Sequence, residues 1–185
     1  YVLAHLRALR ARGHEVTVVT SQHDAALARE ETVEGGRVVR CPVRVRLGKG
    51  VISPAFVPTL VREARDADLA NLHAPMLEAG ALALALRTAK VPTVVTYHCD
   101  ISLPPSLLSR AQTVAMDAST RIAAKNADAV VVTSADYADH SRVASALRAN
   151  REIIPPGCHA RPGGSPKYRE TTGLHVGFLG RFVEE

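Results

Sequence analysis

The chain has 185 residues, enough for one domain with its own core, and its 46% hydrophobic and 22% charged residues exclude a disordered or fibrous protein. The formal net charge is +5, yet aromatics are only 4% and Trp is absent, so stacking platforms for nucleic acid are poorly supplied and no nucleic-acid partner is expected. No apolar run approaches the roughly 18 residues of a membrane-spanning helix, and the first residues show no basic region followed by an apolar stretch.

In chain order, "YVLAHLRALRAR" carries Val2, Leu3, Leu6 and Leu9 on one helical stripe with Arg7 and Arg10 facing away, and Gly13 follows as a stop. "EVTVVT" (15–20) reads as a buried strand. "EGGR" (34–37) is a tight turn between short strands, the second being "RVVRCPVRV". Pro54 and Pro58 bracket entry to a helix near 57–65, and "ADLANLH" (67–73) is a strand ending in His73. An Ala/Leu-rich helix is expected over 76–88, then the strand "PTVVTYH". The segment 105–126 reads as a long helix with Leu107, Ala111, Val114, Ala118 and Ile122 on one face, and "ADAVVVTS" (127–134) as a strand. A helix over 136–148 and the short strands "REIIP" and "LHVGFLG" (174–180) complete the pattern.

Short apolar strands separated by helices imply parallel βαβ units, hence an α/β, doubly wound, Rossmann-like sheet. Such sheets bind ligands beyond the carboxyl ends of their strands, which is where His73, His98-Cys99-Asp100 and Ser134 fall. Cys41, Cys99 and Cys158 are widely spaced with no CxxC pair, the pattern of free thiols in a reducing, cytoplasmic setting. A helix starting at Tyr1 with no residue to cap it, and "VGFLGRFVEE" ending just after a strand, lead us to expect an internal piece of a longer protein. It would lack its first strand and most of a second domain, with "PPGCHARPGGSP" inside an interdomain linker.

Six segments, "RGHEVTVVT", "DADLANLHAP", "VPTVVTYH", "NADAVVVTS", "IIPPG" and "VGFLGRFVEE", fall in an order and spacing that resemble a known family. The likeness is to the N-terminal domain of the retaining glycosyltransferases of the GT-B fold, called group 1 or family 4, and it covers nearly the whole chain. It implies an acceptor-binding Rossmann-like domain over 1–154, a linker over 155–173 and the start of the donor-binding domain over 174–185. The implied activity is a hexosyltransferase-type transfer from a nucleotide-sugar donor to an acceptor hydroxyl with retention, needing no metal or other cofactor. The implied acceptor is a glycan, a lipid-linked sugar or a small molecule. The resemblance also implies that this chain alone is inactive, since most of the donor domain is absent. The alternative reading is a non-catalytic acceptor-binding subunit that works with a separate donor-binding chain.

The same resemblance places His98 at the histidine beside the reacting sugar, and Arg181 with Gly180 at the "GR" motif that meets the donor diphosphate. An arginine fork suits a diphosphate, although the Ala/Arg/Val-rich composition accounts equally well for the basic balance. Where the family commonly reads Pro-Asn-Gly-Val-Asp, this chain has Pro155-Pro156-Gly157-Cys158-His159, which puts a binding role there in doubt.

Read from the residues, imidazole at a strand end can hydrogen-bond a sugar hydroxyl. Cys99 cannot easily join His98 on one metal ion or as its nucleophile, because neighbouring side chains in extended backbone point to opposite faces. Asp100 either contacts the acceptor or turns the chain into "ISLPP", and His73 either lines the cleft or packs beneath the His98 loop. Ser134 reads as a helix cap. The apolar stripe of 105–126 is assigned to the core. Its other reading, a peripheral contact with the inner face of a membrane through Arg110, Arg121 and Lys125, is weakened by Asp117 and several Ser and Thr residues.

Overall fold

Helix and strand alternate from residue 56 to residue 140 in the computed structural model, which describes residues 1–47, 50–157 and 172–173. The central sheet is built from β6 (Ala70–Ala74) and two β-branched runs, β7 (Thr93–Tyr97) and β8 (Ala129–Val132), with the short β9 (Arg151–Ile153) beyond them. All are parallel and lie in the order β6-β7-β8-β9, as expected of βαβ units. Register aligns Leu72 with Val95 and Val130, and Ala74 with Tyr97 and Val132, so these side chains share one face. The other expected strand and its neighbours form a second, three-stranded sheet. Here β1 (Thr17–Gln22) pairs in parallel with β3 (Gly36–Pro42), and β2 (Glu30–Val33) pairs antiparallel with β3.

Two strand and helix expectations are corrected. "RVVRCPVRV" is not one strand: β3 ends at Pro42, which has no N–H for a ladder, and the chain re-forms as a hairpin of β4 (Val45–Leu47) with β5 (Gly50–Ile52). The helix expected over 136–148 is two, α5 (Ala135–His140) and α6 (Ala144–Leu147). Ser141 between them is extended, and its hydroxyl and the Arg142 amide both turn to the Asp100 carboxylate. Those tertiary hydrogen bonds interrupt the helical ladder. The linker, the strand over 174–180, Gly180 and Arg181 lie outside the described residues, apart from 155–157 and 172–173.

The remaining helices are α1 (Val2–Arg10), α2 (Phe56–Ala64), α3 (Ala79–Thr88) and α4 (Leu107–Asn126). A single core runs from Cys41 of β3 through Phe56 and Ala64 of α2 to Leu82 and Leu86 of α3 and the buried face of the central sheet. Helices α3 and α4 pack closely because the contact is made of small residues. A Cβ on Gly80 would stand 3.1 Å from both the Ser119 carbonyl and the Ile122 Cβ. The Ser119 hydroxyl accepts from the Gly80 amide at 2.9 Å and donates to the Leu77 carbonyl at 2.8 Å, tying α4 to the start of α3.

That contact overturns the expected core stripe of α4. Its buried residues are Ser119, Thr120, Ala123 and Ala124, whereas Leu107 is 85%, Val114 68% and Ile122 42% exposed, and Ala111 and Ala118 are exposed as well. The helix turns its small polar side inward and its aliphatic side to solvent.

Candidate functional site

The carboxyl ends of β6 and β7 bring the two predicted histidines together. His73 is the fourth residue of β6, and His98 follows β7, its amide donating to the Ala74 carbonyl at 3.0 Å as though the ladder continued. Alternation along extended backbone sends His73, Thr96 and His98 to one face and Ala74 and Tyr97 to the other. The imidazoles stack with an interplanar angle of 12° and ring centroids 5.2 Å apart. His73 Nδ1 lies 2.9 Å from His98 Nε2, so one proton sits between them. Either tautomer leaves His98 Nδ1 and His73 Nε2 outside the pair.

The amino end of α1 meets the same face. The Tyr1 ring stands edge-on to His98 at 4.7 Å and to His73 at 5.6 Å, and His5, one turn along, lies 6.4 Å from His73. Reading the sequence strand by strand misses Tyr1 and His5. The available signal is their i, i+4 spacing, which puts both on one side of α1.

Burial opposes charge on this pair. His73 is lowered from 6.5 to about 4, first by burial and then by the neighbouring His98 and His5. His98 is also lowered, chiefly by burial. Both rings are therefore neutral at neutral pH.

Asp100 belongs to a different cluster, on the other side of the strand end. Its Oδ1 accepts from the Tyr97 hydroxyl and, at 2.9 Å, from Ser141 Oγ, and its Oδ2 accepts from the Arg142 amide at 3.1 Å. Its own amide donates to the Tyr137 hydroxyl at 2.8 Å. Arg142 in turn binds Asp117 through Nε at 2.9 Å and Nη2 at 3.2 Å, and reaches the Ile101 carbonyl. Burial by itself would raise the Asp100 carboxyl; hydrogen bonds from Tyr97, the Arg142 amide and Ser141, with the Arg142 charge, hold it below the usual carboxylate range. Burial, then the hydrogen bond to Asp100, pushes the Tyr97 phenol up. The cluster pins the segment after β7 to α4 and to the α5–α6 junction. Of the two roles weighed for Asp100, this geometry supports the one that turns and fixes the loop.

Beside this cluster is a shallow depression lined by Cys99, Asp100, Met116 and Arg142 among others. Cys99 lines it and His98 does not, as opposite-facing neighbours require. Among the described residues no group of three His, Cys, Asp or Glu side chains could hold a metal ion. Ser134 caps α5, its hydroxyl accepting from the Tyr137 amide at 3.3 Å. Gly180 and Arg181 lie outside the described residues.

A family model described as "Glycosyl transferase 4-like domain" matches residues 1–157, and the chain belongs to that family. No curated protein matches the chain. The chain thus carries a glycosyltransferase domain, for which sugar donors and acceptors are the substrates.

Proposed function

We propose that this chain is the acceptor-binding half of a cytoplasmic, retaining hexosyltransferase that draws its sugar from a nucleotide-sugar donor. The observation that carries the reading is the neutral His73–His98 pair at the carboxyl rim of a parallel sheet, within a glycosyl transferase 4-like domain. Transfer requires an acceptor hydroxyl held against the anomeric carbon and compensation of charge on the leaving diphosphate. An uncharged imidazole suits the first task, because it exchanges a hydrogen bond with a hydroxyl without bringing a charge that must be desolvated.

In this reading His98 touches the acceptor, and His73 fixes which nitrogen of His98 carries the proton. Asp100 serves the acceptor side by anchoring the loop that begins at His98. The diphosphate falls to Arg181 and the backbone of Gly180, across a cleft to the donor half. The family mechanism requires no metal or other cofactor.

The test uses the full-length protein with a panel of nucleotide sugars, comparing wild type with His98→Ala. Turnover should fall by about a hundredfold or more while donor affinity stays within about threefold. Unchanged turnover in the variant would remove His98 from the site. Absence of sugar transfer by the wild type with every donor, alongside retained acceptor binding, would favour the subunit reading instead.

A further inference from the structure

The chain runs out of strand partners at His98. Its amide still bonds the Ala74 carbonyl, but β7 ends at Tyr97, so the direction of the His98 side chain depends on how the residues after it are held. Arg142 holds two of them. Its amide donates to Asp100 Oδ2 at 3.1 Å, and its Nη2 donates to the Ile101 carbonyl at 2.9 Å. The same guanidinium is itself fixed, because Nε and Nη2 grip both carboxylate oxygens of Asp117 on α4, at 2.9 and 3.2 Å. A planar fork seated on a carboxylate has one orientation, and its spare N–H then points one way. Here it points at the backbone just past His98.

This clamp is kept against the local preference of the chain. Residues 136–148 contain no Pro or Gly, yet α5 stops at His140 because Ser141 is extended, with ψ of 150°, and turned to Asp100. Helical hydrogen bonds are exchanged there for bonds to one carboxylate. Packing does not demand the exchange, since the Arg142 side chain is 39% exposed and lies outside the hydrophobic core. A local conflict of this kind, held beside a candidate catalytic group, marks a geometry that the site needs.

We propose that Arg142, seated on Asp117, is a positioning residue for sugar transfer, aiming the His98 imidazole at the acceptor by clamping Asp100 and Ile101. The proposal rests on the reading of His98 as the group that touches the acceptor. Arg142 acts through the backbone and not on the substrate. Without its side chain, His73 still stacks on the His98 ring and Asp100 keeps Tyr97 and Ser141, but the Ile101 carbonyl loses its donor and the segment its tie to α4. A ring displaced by about 1 Å still permits binding while losing much of its effect on the transition state.

The test is a double-mutant cycle on the full-length protein: wild type, Arg142→Met, His98→Ala and the two combined, assayed for transfer with the panel of nucleotide sugars. Arg142→Met should lower kcat about tenfold or more, with donor KM within about threefold. In the His98→Ala background the same substitution should cost less than about twofold, because its effect passes through the missing ring. Arg142→Lys keeps the charge without the fork, and should recover thermal stability but not kcat. If Arg142→Met does not fold, Arg142→Lys carries the cycle with the same expectation. Arg148→Met, which loses only an exposed ion pair with Asp139 at 3.7 Å, should leave turnover unchanged. Wild-type turnover in His98→Ala, or no transfer by the wild type with any donor, would overturn the reading of His98 and this proposal together. A loss in His98→Ala combined with full kcat in Arg142→Met or Arg142→Lys, or with losses that multiply in the double variant, would overturn this proposal alone.

Discussion

Two imidazole nitrogens 2.9 Å apart cannot both carry a proton without setting donor against donor and charge against charge. Burial, and then this neighbour, make His73 resist protonation in the folded chain, with its pKa lowered to about 4, while in the unfolded chain it titrates near its ordinary 6.5. The folded-state value is the lower one, so the unfolded state takes up the proton first as pH falls. Stability is unaffected well above pH 6.5 and declines between about 6.5 and 4. Because the ring is only partly buried, solvent screening limits the loss to about 1–2 kcal/mol. Urea midpoints measured across that range should fall with pH, and the fall should be shallower in His73→Gln; parallel slopes would show that the pair does not hold its proton as described. On the other side of the same strand end, Tyr97→Phe removes a buried donor to Asp100 and should cost about 1–2 kcal/mol of unfolding free energy with an unchanged denaturant slope. The positions of His73 and His98 were legible because a strand end is a local property of the sequence. Their pairing was not, since it depends on β6 and β7 lying in register, and neither was the fate of Asp100. The carboxylate's partners at the α5–α6 junction lie 41 and 42 residues away, and no local pattern announces them.

At the scale of elements, α4 shows how a correct helix can be given the wrong buried face. Its hydrophobic periodicity is real, and Ser106 caps it, accepting from the Ser109 amide at 3.0 Å. Periodicity identifies the apolar side, but the approach of α3 through Gly80 decides which side is covered. The two assignments are separable by mutation. Leu107→Ser should change stability by no more than about 0.5 kcal/mol, where a core leucine would cost several times that. Gly80→Leu should do the opposite, since its side chain has no room between Ser119 and Ile122 and must push the two helices apart. A loss of about 2–3 kcal/mol, read from the urea midpoint, is expected. A large effect at Leu107 with none at Gly80 would restore the assignment of the stripe to the core. The break between α5 and α6 escaped the sequence for a related reason. Residues 136–148 contain no Pro or Gly to mark an interruption, and what stops the helix is the pull of Asp100 on Ser141 and Arg142.

For the whole molecule, the α/β class followed from short strands separated by helices, most plainly from the β-branched runs of β7 and β8, because strands covered on both faces are largely apolar along their length. The second sheet was less legible: β2 is largely exposed and carries Glu30, Glu31 and Thr32, whose character a strand shares with a loop. This difference in burial implies a difference in local stability. Val95 in β7 is fully buried between two neighbouring strands, and Leu82 and Leu86 close over the same core. Hydrogen bonds there can open only when the core is dispersed. By contrast, among the described residues β4 and β5 pair only with each other, and a two-stranded hairpin contributes little stability by itself. Native-state hydrogen exchange should accordingly divide the chain. Amides of β7 and α3, with that of Cys41 where β3 enters the shared core, should exchange only through global unfolding and accelerate with urea. Those of β2 and the β4–β5 hairpin should exchange roughly a hundredfold faster or more, and respond little to low urea, because opening them exposes little apolar surface. If β2 and the hairpin were instead protected to the same level and with the same urea dependence as β7, the chain would unfold as one unit, and its outer strands would depend on the core far more than their exposure implies.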